Sequence, residues 1–100
     1  MIYITQLIYL KPGKEKVFDE FEQVAIPIIS KHNGKLLLRI RPEANSFVEG
    51  SMDHPYEVHV VEFASKKDFE NFKTDDDRKK VLHLKDQAVS RIMMIEGLVS

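Results

Sequence analysis

The chain has 100 residues, of which 43% are hydrophobic, and 15 basic residues against 16 acidic ones leave a formal charge of −1. A sequence of this length predicts a single domain, residues 1–100, with a thin core that benefits from a partner. Since basic and acidic residues alternate throughout, and no apolar run approaches the ~20 residues of a bilayer span, neither nucleic acid nor a membrane is a predicted partner.

The first predicted element is a strand from Ile2 to Leu10, whose two faces are both largely apolar, as in the centre of a sheet. A turn at residues 11–13 leads into a predicted helix over residues 14–33, because apolar residues recur there at helical spacing. Pro27 lies inside this helix, removes a main-chain donor and predicts a kink. Gly34 is the expected left-handed residue that ends the helix.

Residues 35–42 are the second predicted strand, with the pattern of a sheet edge. Strict alternation divides its side chains between two faces: Leu36, Leu38 and Ile40 toward the core, and Leu37, Arg39 and Arg41 on a mostly polar face. The connection over residues 43–54 is longer than a hairpin needs. We therefore expect this loop to fold over another part of the molecule.

A third strand, from Tyr56 to Ala64, is apolar on both faces and leads directly into a helix that begins at Ser65. Ser65 followed by Asp68 forms a capping signature. The three aspartates at 75–77 interrupt this helix. They either bind a metal or cap a further helical turn, and capping is the commoner role of such residues. Residues 88–96 form the last predicted strand.

The element order β-α-β-β-α-β predicts a ferredoxin-like α+β sandwich, a four-stranded antiparallel sheet with its helices on one face. Right-handed crossovers place the first and third strands at the centre of the sheet, in agreement with their two apolar faces. The other face of the sheet carries Tyr3, Leu7, Tyr9 and Leu37, which is too apolar for contact with water. A second copy of the chain that covers this face would form a two-fold symmetric homodimer.

Five short segments of the sequence carry a family resemblance: Ala25-Ile26-Pro27, His32-Asn33-Gly34-Lys35, Val48-Glu49-Gly50, Val61-Glu62-Phe63-Ala64-Ser65 and Ile95-Glu96-Gly97. They resemble the dimeric α/β-barrel superfamily, in which two ferredoxin-like sheets pack face to face. The resemblance spans nearly the whole chain and is closest to an uncharacterised bacterial domain of unknown function related to antibiotic-biosynthesis monooxygenases. The superfamily also contains haem-degrading enzymes and stress-responsive barrel proteins, and the resemblance implies a homodimer.

The haem-degrading members of the superfamily suggest three ligand-binding positions. Gln6 falls about where they have an asparagine on the first strand, and Phe72 about where they have a tryptophan. His83 lies close to their histidine, although Leu82 matches the spacing better. Phenylalanine cannot donate the indole N–H, and the sequence has no tryptophan. This departure argues against haem degradation and leaves the space between sheet and helices as a site for another flat ligand.

His59 lies in the middle of the third strand, on the same face as Glu57. It is either a general base with Glu57 as its partner carboxylate or a buried histidine of the core or of a dimer interface. Arg39, Arg41 and Arg91 either hold a carboxylate ligand or pair with acidic residues across a dimer. The four histidines have no local metal-binding spacing, so no metal is predicted.

Several functional classes are excluded by missing residues and motifs. Without cysteine there are no disulfides, no thiolate chemistry and no cysteine-based zinc site. The sequence also lacks a P-loop, a dinucleotide-binding glycine motif and a nucleophile elbow. The absence of cysteine and of a basic leader segment fits a cytoplasmic protein.

The sequence therefore predicts a homodimeric, small-molecule-binding α/β-barrel protein without a cofactor. The ligand-binding candidates are Gln6, Arg39, His59, Phe72 and His83, and the candidates for catalysis are His59 and Gln6. One alternative is a cofactor-independent enzyme of the monooxygenase or isomerase type that acts on a small aromatic or acidic metabolite. Another is a structural or regulatory dimer with a filled core and no ligand.

Overall fold

A computed structural model describes residues 1–99, which form a four-stranded antiparallel sheet with helices on one face. The strands are β1 (Ile2–Leu10), β2 (Gly34–Ile40), β3 (Glu57–Phe63) and β4 (Val89–Gly97). The helices are α1 (Glu15–Ile28), α2 (Lys66–Lys73), α3 (Asp76–Lys79) and α4 (Leu82–Ala88). The strand order in the sheet is β2-β3-β1-β4. The ferredoxin-like fold and the central positions of the first and third strands are thus confirmed.

The end of α1 has a different geometry from the predicted helix. The α-helix stops one residue after Pro27, and the chain continues as a 3₁₀ turn over Ile29–His32. Asn33, rather than Gly34, adopts the left-handed conformation, with φ of 55°. The expectation for Gly34 was therefore wrong. This glycine is needed for close packing, because a Cβ there would lie 2.6 Å from Cε1 of Phe63.

Two predicted helix caps are present. The hydroxyl of Ser65 accepts a hydrogen bond from the main-chain N–H of Asp68 at 3.1 Å and caps α2. The carboxylate of Asp75 accepts from the main-chain N–H groups of Asp77 and Arg78, at 2.9 and 3.3 Å, and caps α3. The first of the three consecutive aspartates is therefore a helix cap.

A β-bulge at Leu37 interrupts the alternation of β2. Leu36 pairs with Val61 of β3, but the next pair along the ladder is Leu38 with Val60. Leu37 is left between them without a pairing partner in the sheet that residues 1–99 form. Because side chains alternate strictly along a strand, one extra residue moves every later side chain to the opposite face of the sheet.

The bulge overturns the predicted faces of β2 beyond Leu36. Arg39 and Arg41 lie on the helix-covered face, where both bind Glu57. Leu38 and Ile40 lie on the open face and are 43% and 44% exposed. An arginine pair that strict alternation assigned to the polar face thus lies on the helix-covered face, where its side chains stay 33% and 45% exposed and bind a buried carboxylate.

The core between sheet and helices is divided into two clusters. One cluster surrounds Phe63 of β3, whose ring centroid lies 5.3 Å from that of Phe69 and 5.5 Å from that of Phe72. The other surrounds Ile8 and Phe18 near the start of α1. Gln6 and His59, which pair with each other across β1 and β3, lie between Ile4 of the first cluster and Ile8 of the second. No helix within residues 1–99 is both long enough and apolar enough to cross a lipid bilayer.

Candidate functional site

A cavity of about 190 Å³ lies between the sheet and the helices, where the two core clusters leave space. Most of the side chains around it are aromatic or aliphatic. The exposed residues Lys73 and Met94 belong to its lining, so the cavity reaches the surface. The polar side chains of the lining are Gln6, Glu22, His59, Lys73, Arg78 and Lys85. A mainly apolar cavity with a few convergent polar groups is typical of a small-molecule site.

Glu57, at the start of β3, is fully buried beside this cavity, and three side chains bind its carboxylate. Arg39 Nε donates to Oε2 at 3.0 Å, Arg41 Nε donates to Oε1 at 2.7 Å, and His59 Nε2 forms a hydrogen bond with Oε2. Burial alone would raise the pKa of Glu57, but the hydrogen bonds from His59, Arg41 and Arg39 outweigh it and hold the pKa at about 2. Glu57 is therefore ionised at neutral pH.

The ionised carboxylate of Glu57 determines the tautomer of His59. A carboxylate only accepts hydrogen bonds, so the imidazole hydrogen must reside on Nε2. In a neutral imidazole the lone pair is then on Nδ1, the nitrogen that can accept a proton from a ligand. A carboxylate that orients a histidine and stabilises its protonated form is a common element of general-base catalysis. The structure thus provides the Glu57 partner that the general-base hypothesis for His59 requires.

Glu22 of α1 is a second titratable group of the cavity and was not among the predicted site residues. It is only 7% exposed, and burial raises its pKa from 4.5 to about 7, against a smaller lowering by His59. A carboxyl group with a pKa near 7 can both donate and accept a proton under physiological conditions. The feature of the sequence that indicates a buried Glu22 is its position in the apolar stripe of the helix, four residues after Phe18 and three before Ala25.

Glu22, Glu57 and His59 each have one potential ligand atom within 4.8 Å of the others, so they can be considered as a metal site. Both carboxylate oxygens of Glu57 already bind a guanidinium group, from Arg39 and Arg41. A metal cation would have to displace these bonds and lie beside two fixed positive charges. The donor set therefore fits a hydrogen-bonded ion cluster better than a cation site.

The predicted ligand-binding residues have three different locations. Gln6, His59 and Phe72 line the cavity, as the ligand-binding prediction requires. Arg39 is outside the lining and binds Glu57, so its contact with a ligand would be indirect. His83 is exposed on α4 and is not part of the lining. The structure thus brings three of the five candidates together.

Arg78 of α3 is a further lining residue that was not predicted. In the sequence it belongs to a run of charged residues, 75–80, which is typical of a solvated surface. Its guanidinium instead points inward, between the rings of Phe21 and Phe72. A sequence pattern cannot distinguish this arginine from the lysines that follow it, because the direction of its side chain depends on the packing of three helices.

Comparison with solved structures shows the same fold in proteins of unknown function. A protein from Rhodopseudomonas palustris has a TM-score of 0.79 at 16% identity, over 95% of this chain and 78% of that chain. An uncharacterised NIPSNAP domain protein from Burkholderia xenovorans has a TM-score of 0.73 at 11% identity, over 100% and 95%. A protein from Bacteroides fragilis, described as dimeric, of unknown function and ferredoxin-like fold, has a TM-score of 0.70 at 11% identity, over 96% and 93%.

Comparison with protein families gives a match over nearly the whole chain. Residues 6–98 match the model of a domain of unknown function, DUF1330. No curated protein matches the chain. The resemblance to an uncharacterised domain family with a ferredoxin-like fold is thereby confirmed.

Proposed function

The chain belongs to the DUF1330 family, and we propose that it is a homodimeric small-molecule-binding protein whose cavity transfers protons on its ligand. One observation carries the proposal. In a mainly apolar cavity, Glu22, with a pKa raised by burial to about 7, lies beside a histidine that an ionised carboxylate orients. Two titratable groups with different environments at one cavity are typical of acid–base catalysis.

The two groups can divide a proton transfer between them. His59, with its lone pair on Nδ1, accepts a proton from the ligand, and the ionised Glu57 stabilises the imidazolium that forms. Glu22 in its protonated form donates a proton to a second position of the ligand. One proton leaves the ligand and one arrives, so the net reaction is an isomerisation that needs no cofactor. His59 then releases its proton to water and Glu22 takes one up from water, which restores both groups. The amide of Gln6 supplies a donor and an acceptor for a polar group of the ligand.

The acid–base pair favours the isomerase type over the monooxygenase type. A cofactor-independent monooxygenase would also begin with deprotonation of the ligand, but it would then add dioxygen and would not need a second proton donor at once. Glu22 supplies that donor. The cavity itself supports both ligand-binding hypotheses over a dimer with a filled core.

The enzyme proposal can be tested with solvent deuterium. The purified protein is incubated in deuterium oxide with a panel of small unsaturated acids and ketones, and incorporation of deuterium is followed by proton NMR. We expect incorporation into at least one compound, with loss of most of the rate in Glu22→Gln and His59→Asn. Glu20→Gln, an exposed change on the same helix, is the matched control and should keep the full rate. Equal rates in all four proteins would contradict the proposal.

The homodimer is proposed from the open face of the sheet. This face presents Leu38, Ile40, Met93 and Ile95, which are 39–50% exposed. Such a patch is typical of an interaction surface, and the similar protein from Bacteroides fragilis is described as dimeric. We therefore propose that a second copy covers the open face. A cytoplasmic location and the absence of nucleic acid and membrane partners stay predictions.

A further inference from the structure

Arg78 differs from the other arginines in its charge environment. Each of the other three forms an ion pair: Arg39 and Arg41 with Glu57, and Arg91 with Asp53. Among residues 1–99, no carboxylate lies within ion-pair distance of the Arg78 guanidinium. Glu22 and Asp75 act on its charge only from beyond ion-pair distance, and burial outweighs them, so the desolvation of this half-buried cation is incompletely compensated.

The guanidinium of Arg78 is nevertheless held in a defined position. Its Cζ lies 5.6 Å from the ring centroid of Phe21 and 5.0 Å from that of Phe72. One terminal nitrogen, Nη1, donates to the main-chain oxygen of Lys73 at 3.2 Å, and the carboxylate of Asp75 accepts from the main-chain N–H of Arg78 at 3.3 Å. These contacts orient the guanidinium without neutralising it.

The Nε atom of Arg78 is buried and has no hydrogen-bond acceptor among residues 1–99. Burial lowers the pKa of Arg78, which reflects the unfavourable environment of its charge, but an arginine keeps its proton in a protein. A buried charged donor without a partner destabilises the molecule. A ligand carboxylate that displaces the side chains packed against Nε would satisfy this donor, and the planar guanidinium matches its two oxygens.

The other groups of the cavity also favour an anionic ligand of limited size. Lys85 is a second half-buried cation, and its pKa is lowered first by burial and then by the charge of Arg78. Glu22, with its pKa of about 7, is only partly ionised at neutral pH and does not balance both cations. An apolar cavity of about 150 Å³ accommodates benzene. The 190 Å³ here can therefore hold one ring or a short chain that carries a carboxylate.

We infer that Arg78 binds the carboxylate of a small, largely apolar carboxylic acid, and that unsaturated acids of this kind are the substrate class of the cavity. The statement about substrate rests on the proposed proton transfer, whereas the statement about binding does not. With its carboxylate at Arg78, the ligand directs its carbon chain toward His59 and Glu22. Removal of a proton from one carbon by His59 and delivery of a proton to another by Glu22 would shift a carbon–carbon double bond relative to the carboxylate.

The binding test uses benzoate, phenylacetate and 2-hexenoate as probes, each compared with its neutral amide by isothermal titration calorimetry. We expect each acid to bind the wild-type protein more tightly than its amide. Arg78→Gln should weaken acid binding by roughly 10- to 100-fold, the effect of losing a charge-assisted hydrogen bond, and should leave amide binding nearly unchanged. Arg91→Gln, which removes an arginine outside the cavity, is the matched control and should not change the affinity.

Three outcomes would overturn the inference: no saturable acid binding up to about 20 mM, equal affinity for acids and amides, or unchanged acid affinity in Arg78→Gln. If Arg78→Gln does not fold, as judged by circular dichroism, Arg78→Lys decides the question. It keeps the charge but removes Nε, so it should weaken acid binding several-fold, and an unchanged affinity would overturn the inference.

The binding result and the deuterium-exchange result can be separated. Arg78-dependent acid binding without exchange in the wild-type protein would keep the carboxylate site and remove the proton-transfer function. Deuterium exchange at the same rate in the wild type and in Arg78→Gln would keep the proton-transfer function and remove the carboxylate site.

Discussion

Glu22 of α1 and His59 of β3 meet at one cavity, with a carboxylate oxygen and a ring nitrogen within 4.8 Å of each other. The two groups are in different electrostatic environments, although both are buried. His59 is bound to an ionised carboxylate, whereas burial keeps Glu22 partly protonated near neutral pH by raising its pKa to about 7. This difference makes one of them a candidate base and the other a candidate acid.

The raised pKa of Glu22 predicts a loss of stability as the pH increases. Its pKa is about 7 in the folded protein and 4.5 for a free glutamate, so between these values the folded state holds a proton that the unfolded state has released. The free energy of unfolding therefore falls as the pH rises through this window. The total loss is about 3 kcal/mol, from roughly 1.4 kcal/mol per pKa unit.

Glu22→Gln removes this titration, and Glu20→Gln is the control at an exposed position of the same helix. Urea denaturation at pH 5, 6, 7 and 8 should show the wild type and Glu20→Gln losing stability relative to Glu22→Gln. Glu57 does not interfere, because a lowered pKa of about 2 affects stability only below the pH of a free glutamate. If the free energy of unfolding changes with pH equally in the three proteins, burial does not raise the pKa of Glu22.

Removal of the Glu57 carboxylate should strongly destabilise the fold. Glu57→Gln leaves Arg39 and Arg41 on the helix-covered face without their shared buried anion. Because the two arginine side chains are 33% and 45% exposed, the expected cost is that of losing hydrogen bonds to a charged group, about 1.5–3 kcal/mol. The measurement is urea denaturation at pH 7. Asp19→Asn, which removes a 40% exposed partner of Arg41, should cost less than about 1 kcal/mol, and similar losses for both variants would contradict the prediction.

A charge on the open sheet face should dissociate the proposed homodimer. Ile95 is 50% exposed on β4, and Ile95→Lys would place an ammonium group in the apolar contact without a partner. We expect sedimentation velocity to give a dimer for the wild type and a monomer for this variant at the same concentration. Val24→Lys, at an apolar position 37% exposed on α1, should remain dimeric. A monomeric wild type would rule out the dimer.

A methyl group at Gly34 should disturb the packing of β2 against Phe63 of β3 and the 3₁₀ turn that follows α1. A Cβ at this position would lie 2.6 Å from Cε1 of Phe63 and 2.7 Å from Cγ2 of Ile29, and both side chains are buried. Overpacking of this kind costs about 1–3 kcal/mol, which thermal denaturation can measure. Gly97→Ala is the control, because a Cβ there would meet no atom of residues 1–99 within 4 Å. Equal melting temperatures for the two variants would disprove the close approach.

The parts of the fold that were predicted correctly depend on local patterns. The apolar faces of β1 and β3 identified them as central strands, and the structure places both at the centre of the sheet. Ser65 and the aspartates at 75–77 were predicted as caps because a short oxygen-bearing side chain binds N–H groups only two or three residues away, and the structure assigns the second cap to Asp75. Such features depend on a few consecutive residues, so the sequence alone contains them.

The bulge at Leu37 shows where local patterns fail. Alternation along β2 is regular in the sequence, and the unpaired residue appears only when β2 is aligned with β3. Its effect on the candidate site is large, because it moves Arg39 and Arg41 to the face where Glu57 and His59 lie. The ion pairs with the arginines therefore could not be predicted from β2 by itself.

The sequence by itself determined the order of the elements, the two central strands, the caps and the position of His59 on the same face as Glu57. Only the tertiary structure decided that Glu22 and Arg78 join His59 at one cavity. These three residues come from α1, α3 and β3, and the burial and neighbouring charge of each depend on atoms that are distant in the chain. Because proton affinity and anion binding follow from that environment, the candidate chemistry arises only when the helices pack on the sheet.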